Sequence, residues 1–187
     1  MKTTPVSTPP AARLQGQRGI TLIEACVALA MTAIAATTAA PGLQELIDGR
    51  RLEGTARQLG TDIHFVRSEA VARNLPLRLA VRTDATGSCY VIHSGAAGAC
   101  TCEAVGPARC TGEALEIKTV ALAATSPITL QSNAASMLFD PLHGTASPTA
   151  TLRVLGSRGR AVHHIVNVMG RVRSCSPAGA MPGYPAC

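Results

Sequence analysis

Residues 19–43 read GITLIEACVALAMTAIAATTAAPGL. Between Ile20 and Leu43 this stretch carries a single charge, Glu24. At about 1.5 Å of rise per residue, some twenty helical residues cover roughly the 30 Å hydrocarbon core of a bilayer, so the stretch predicts a membrane-spanning helix. Its Ala, Leu, Ile, Val and Met residues are joined by several Thr, whose hydroxyls can bond back to the backbone. That composition suits packing against other helices as well as lipid. Pro41 and Gly42 predict a kink or a local melt near its end.

Glu24 is the expensive residue. A carboxylate inside a membrane segment is a functional hypothesis by default. It lies four residues after Ile20. If the chain is cut after Gly19, Ile20 carries a new amino group one helical turn from Glu24. Opposite charges at that spacing neutralise each other, within one chain or between neighbours in a bundle. An ordinary secretory signal ends in a small-x-small site and has a shorter apolar core, so this stretch does not read as one.

Arg18-Gly19-Ile20-Thr21-Leu22-Ile23-Glu24 resembles the prepilin-peptidase site of type IV pilins and type II secretion pseudopilins. The resemblance implies that a basic leader is removed after Gly19 by prepilin peptidase and that the new N-terminus is methylated. It also implies that Glu24 guides docking into a helical filament beside other pilin or pseudopilin subunits. Pro41 matches the family as well, which often carries proline twenty-one residues after the first mature residue. Ile20 departs from the usual Phe at the first mature position, and the departure bears on methylation more than on cleavage.

Downstream, Leu52, Ala56, Leu59, Ile63, Val66 and Ala70 recur at steps of three and four. That is one apolar stripe on a helix continuing from Leu43 to Asn74, with Arg50, Arg51, Glu53, Arg57, Asp62, Arg67 and Glu69 mostly off it. Asp62 and Glu69 read as a solvated edge. Asn74 can take the left-handed cap, and Pro76 cannot continue the helix. The stripe must cover something, most simply a sheet.

After Leu75 the period changes to two. Leu77, Leu79 and Val81 alternate with Arg78, Ala80 and Arg82, the pattern of a half-buried strand. Further short strands are predicted at Cys89–His93, Leu115–Val120, Ile128–Leu130, Met137–Phe139, Thr151–Leu155, Ala161–Met169 and Arg171–Arg173. Residues 95–112 read as a surface loop stapled by cysteines. Six to eight antiparallel strands behind one long helix make an α+β fold, with a second small sheet. The organisation is a leader (1–19), a membrane or filament-core helix (20–43), its soluble half (44–74), an antiparallel β domain (75–173) and a Pro/Gly-rich tail closed by cysteines (174–187). The resemblance implies a type IV pilin-like fold, held in the inner membrane by a single pass with the globular domain in the periplasm.

Seven cysteines are many for a cytosolic chain. Cys26 lies in the membrane helix and reads as a free thiol. Cys89, Cys100, Cys102, Cys110, Cys175 and Cys187 are disulfide candidates in an oxidising compartment, with 15 connectivities open. Cys175 with Cys187 is the favoured pair, because it closes a tail with little else to hold its shape. The alternative is a periplasmic metal or redox module using Cys100, Cys102 and His93, although C-x-C lacks the C-x-x-C knuckle spacing.

No nucleophile elbow, phosphate loop or H-E-x-x-H motif is present, so neither an enzyme nor a cofactor is expected. The histidines (His64, His93, His143, His163 and His164) read as surface or partly buried structural residues. His163 and His164, adjacent in a strand, point to opposite faces. Net charge is +6, half of it from the leader's Lys2, Arg13 and Arg18. The distribution is more informative. After Asp140 there is no acidic residue, yet Arg153, Arg158, Arg160, Arg171 and Arg173 follow. A one-signed C-terminal third points to a polyanionic partner.

Gly170-Arg171-Val172-Arg173 is the sharpest binding motif. Residues two apart on a strand share a face, so Arg171 and Arg173 present two guanidinium forks about 7 Å apart, which suits neighbouring phosphates. Val172 turns inward, and Gly170 leaves room for a phosphate backbone to approach. Arg158 and Arg160 extend the patch from their hairpin turn. Tyr184 is the one aromatic available as a stacking platform, so sequence readout is weak.

The soluble region resembles the GspH/FimT group of minor pilins and pseudopilins. Arg67-Ser68-Glu69-Ala70 with Arg73-Asn74, and Phe139-Asp140 with Gly144, carry that resemblance. In the FimT branch it implies DNA binding through Gly170, Arg171 and Arg173. In the GspH branch it implies a minor pseudopilin of the type II secretion system.

Overall fold

The computed structural model describes residues 19–104 and 106–187. The leader's Lys2, Arg13 and Arg18 lie outside the described residues. Thr21 opens helix α1 (Leu22–Arg73). Its Oγ1 accepts a hydrogen bond from the Glu24 amide at 3.3 Å, and its carbonyl accepts one from Ala25 N at 3.0 Å. This is N-capping, which satisfies donors that a helix start otherwise leaves unpaired. The chain divides into two compact units between Pro41 and Gly42.

In the first unit the apolar side chains Leu22, Ile23, Val27, Leu29, Met31 and Ile34 are exposed. By length and composition the helix is able to cross a membrane. Thr32 Oγ1 bonds to Leu29 O and Thr37 Oγ1 to Ile34 O, both at 2.9 Å, so these hydroxyls are satisfied by the helix itself. The local melt read at Pro41 is not found: α1 runs through it without interruption. An internal proline forfeits one backbone bond, here to the Thr37 carbonyl, and the neighbouring turns keep theirs.

In the second unit α1 lays Leu52, Ala56, Leu59, Ile63, Val66 and Ala70 into the core. It ends at Asn74, whose φ of 49° is the left-handed stop expected of it. Two antiparallel sheets pack on this stripe. The first contains β1 (Leu77–Asp84), β2 (Gly87–Ser94), β5 (Glu116–Ala123), β7 (Ser136–Phe139) and β8 (Ala146–Ser147), in the order β5-β2-β1-β7-β8. The second contains β6 (Thr129–Ser132), β9 (Ala150–Leu155), β10 (Ala161–Val166) and β11 (Val172–Cys175), in the order β11-β10-β9-β6. Leu77, Leu79, Tyr90, Ile92, Met137 and Phe139 of the first sheet join Leu130, Leu152, Val154, Val162 and Val166 of the second in one cluster with the helix. The architecture is the α+β fold that the periodicities predict.

Residues 95–112 do contain a small ladder, β3 (Cys100–Thr101) with β4 (Arg109–Cys110). Cys89 is bonded to Cys102, Cys100 to Cys110 and Cys175 to Cys187. Cys26 is free. The thiols that a metal or redox module needs at Cys100 and Cys102 are therefore tied to separate partners. His93, its third member, is fully buried with Nδ1 donating to Ser94 O at 2.8 Å.

Two further readings are corrected. Asp62 is no solvated edge: it is 3% exposed, and its carboxylate accepts Tyr90 Oη and Lys118 Nζ, each at 2.6 Å. His164 is structural, as expected, but lies deeper than the surface or partly buried position read for it: it is 1% exposed, with Nδ1 paired to Ser174 Oγ and Nε2 to the Ala56 carbonyl. Both are buried polar groups made affordable by complete hydrogen bonding.

Candidate nucleic-acid interface

Strand register decides which basic side chains share a surface. In the second sheet His163 stands opposite Cys175 on one side and Arg153 on the other, while Ile165 stands opposite Arg173 and Thr151. Directly opposed residues of an antiparallel pair project from the same face. Leu152, Val154, Val162, His164 and Val166 fill the inner face. The outer face therefore carries Arg153, His163, Ile165 and Arg173, with Cys175 buried at its end, and Arg171 falls outside the strand pairing, one residue before β11 begins at Val172. Val172, between the two arginines, packs against the core.

Arg153, Arg171 and Arg173 are exposed, and none forms an ion pair among the described residues. His163 has its pKa lowered, first by partial burial and then by the Arg153 charge beside it. The face is thus an uncompensated cationic surface. Arg153 is the member that sequence reading left out of the motif, because its place beside His163 depends on a register invisible in a single strand.

Arg158 and Arg160 do not join this face. They sit at the β9–β10 turn, at the far end of the six-residue β10 from Arg171, or about 20 Å away at strand rise. Arg158 Nη1 pairs with Glu45 Oε2 at 3.1 Å, and Arg160 Nη2 donates to the Glu45 carbonyl at 3.2 Å. These two cations anchor the β9–β10 turn to α1. Tyr184 is partly buried against the main core and offers no free platform.

Gly170 also has a different task from the one read in the sequence. It is buried with φ of 68°, and a Cβ there would collide with the Gly144 carbonyl and stand 3.0 Å from Arg67 Nε. Arg67 Nε donates to Gly144 O at 2.9 Å. The space beside Gly170 is filled by the protein's own backbone and by Arg67, so it is not open to a phosphate. The glycine permits the turn 167–170 to close against loop 140–144. Asn167 completes that turn: its amide donates to Arg171 O at 3.1 Å, and its Oδ1 accepts Arg171 N at 2.9 Å.

At the other end of the chain, Gly19 and Ile20 precede the first helical residue, Leu22, and both are exposed. Glu24 is exposed in the first turn. Among the described residues no three His, Cys, Asp or Glu side chains converge as a metal site.

The family described as Type II transport protein GspH matches residues 55–170. No curated protein matches the chain. Among solved structures, the crystal structure of the type IV minor pilin FimU from Pseudomonas aeruginosa is similar at 15% identity and a TM-score of 0.49. That likeness covers 66% of this chain and 87% of the FimU chain.

Proposed function

The chain belongs to the GspH family of type II transport proteins, and from that premise we propose that it is a non-enzymatic minor pilin or pseudopilin that binds DNA through its C-terminal arginines. In this reading prepilin peptidase cuts after Gly19 in the inner membrane. Ile20–Leu43 anchors the subunit, and Glu24 neutralises an amino terminus during assembly with other subunits. Pro41 lies in the segment that packs within the filament. The soluble unit then stands in the periplasm, where its disulfides persist.

The observation that carries the DNA reading is the sheet face bearing Arg153 and Arg173, with Arg171 next to its edge strand, and with no carboxylate paired to any of the three among the described residues. Guanidinium forks two residues apart suit neighbouring phosphates, and no aromatic platform stands free beside them, so binding is backbone-directed and tolerant of sequence. Fluorescence anisotropy with a labelled duplex tests it. Binding weakens steeply with salt, and Arg171→Ala with Arg173→Ala lowers the slope of log K against log salt by about 2, at roughly 0.9 per phosphate contact. Unchanged affinity in the folded double variant would falsify the DNA site while leaving the subunit assignment standing.

The description of the matched family favours a second reading, a minor pseudopilin of the type II secretion system, whose basic face meets a neighbouring subunit. Deleting the gene then leaves secreted proteins in the periplasm and DNA uptake unaffected.

A further inference from the structure

Three large apolar side chains stand in solvent beside the arginines. Leu142 is 74% exposed, and Val168 and Met169 are 57% exposed each. They occupy the tips of two turns that are held firmly. In loop 140–144, Asp140 Oδ1 accepts the amides of Leu142 and His143 at 3.0 and 2.8 Å, and Gly144 N donates to Asp140 O at 2.9 Å. In the turn 167–170, Gly170 N donates to Asn167 O at 2.9 Å. The turns are joined to one another, because Ala146 N donates to Val168 O at 2.9 Å and Gly170 lies against Gly144 and Arg67. The apolar tip is therefore presented by fixed backbone.

Arg171 and Arg173 follow directly on one side, and Arg67, which makes no ion pair among the described residues, supports the tip from below. The Asp140 carboxylate is the acid within the tip. Its charge is turned onto the loop's own amides and His143, which hold its pKa below the ordinary 3.8. A partner for this surface must offer both dense negative charge and apolar area. Stacked bases framed by phosphates do so. An acidic protein face meets the arginines but gives the tip less to bury.

We propose that Val168 and Met169, with Leu142 behind them, form a wedge that enters between base steps while Arg171 and Arg173 hold the flanking phosphates. Apolar wedges of this kind partly unstack and bend a duplex. This rests on the DNA reading above and adds the mode of binding: the protein takes double-stranded DNA by distorting it.

The test uses the full-length chain in non-ionic detergent and a duplex with 2-aminopurine at its centre. Val168→Ser with Met169→Ser is compared with Arg171→Ala plus Arg173→Ala, and folding is checked by thermal unfolding. The wild type is expected to raise 2-aminopurine fluorescence on binding. The serine pair abolishes that rise and weakens binding about tenfold with an unchanged salt slope, because an apolar contact releases no counterions. The alanine pair lowers the slope instead. Wild-type affinity and fluorescence in the serine pair would overturn the wedge and leave the arginine site intact. If the serine pair binds DNA normally but loses association with other subunits, the tip is a protein contact and the proposal fails. If the wild type shows no salt-dependent binding at all, the DNA reading falls and the wedge with it.

Discussion

Asp62 on α1 holds Tyr90 of β2 and Lys118 of β5 on its two carboxylate oxygens, each at 2.6 Å, and so ties the helix to the first sheet through one buried group. Burial and the adjacent carboxylate both push the Tyr90 phenol upward, burial being the larger cause. Removing one partner of a buried charged group costs more than the bond itself, because the group remaining keeps its desolvation penalty. Tyr90→Phe is expected to destabilise the domain by about 1–3 kcal/mol. Urea denaturation measures this. In an alkaline absorbance titration, one of the chain's two tyrosines should stay silent until the fold is lost.

His164 makes stability depend on pH. Burial lowers its pKa from the ordinary 6.5, outweighing the opposite effect of its bond to the Ala56 carbonyl. The neighbouring His163 is shifted the same way. As pH falls through 6.5 the unfolded chain takes up protons that the folded chain refuses, so stability drops until the folded-state pKa values are passed. Unfolding free energy at pH 5 should be lower than at pH 7.5, and His164→Gln should shrink that difference. A pH-independent midpoint in the wild type would contradict it.

Gly170→Ala separates a structural glycine from a ligand-facing one. A side chain at φ of 68° is disfavoured, and its Cβ would meet the Gly144 carbonyl and Arg67. The left-handed conformation alone costs about 1–2 kcal/mol, and the contact adds to it. The melting temperature should fall by several degrees, at about 2–4 °C per kcal/mol for a chain of this size. An alanine variant as stable as the parent would show that the turn opens freely.

Much of this domain was legible from spacing. The steps of three and four from Leu52 to Ala70 specify the buried stripe, and Leu77, Leu79 and Val81 specify a strand with one face inward. Asp62 was not legible, because a lone acid at the edge of a stripe looks solvated until its partners are known. Those partners lie 28 and 56 residues away. The basic C-terminal third was visible as composition, but composition does not say which cations are already spent. Arg160 reaches back 115 residues to the Glu45 carbonyl, while Arg153 gains its place from strand pairing. Gly170 reads from sequence as clearance for a phosphate, whereas the space beside it is filled by the Gly144 carbonyl and Arg67, neighbours that only the tertiary fold brings there.

Both sheets rest on the same side of one helix and have no strand in common. The segment from Leu52 to Ala70 thus works as a keystone. A slip of one residue would swing its side chains by about 100° and aim a different row at the two sheets together. Both layers and this helical segment contribute to a single apolar cluster, so a change in that row is felt in the two sheets alike.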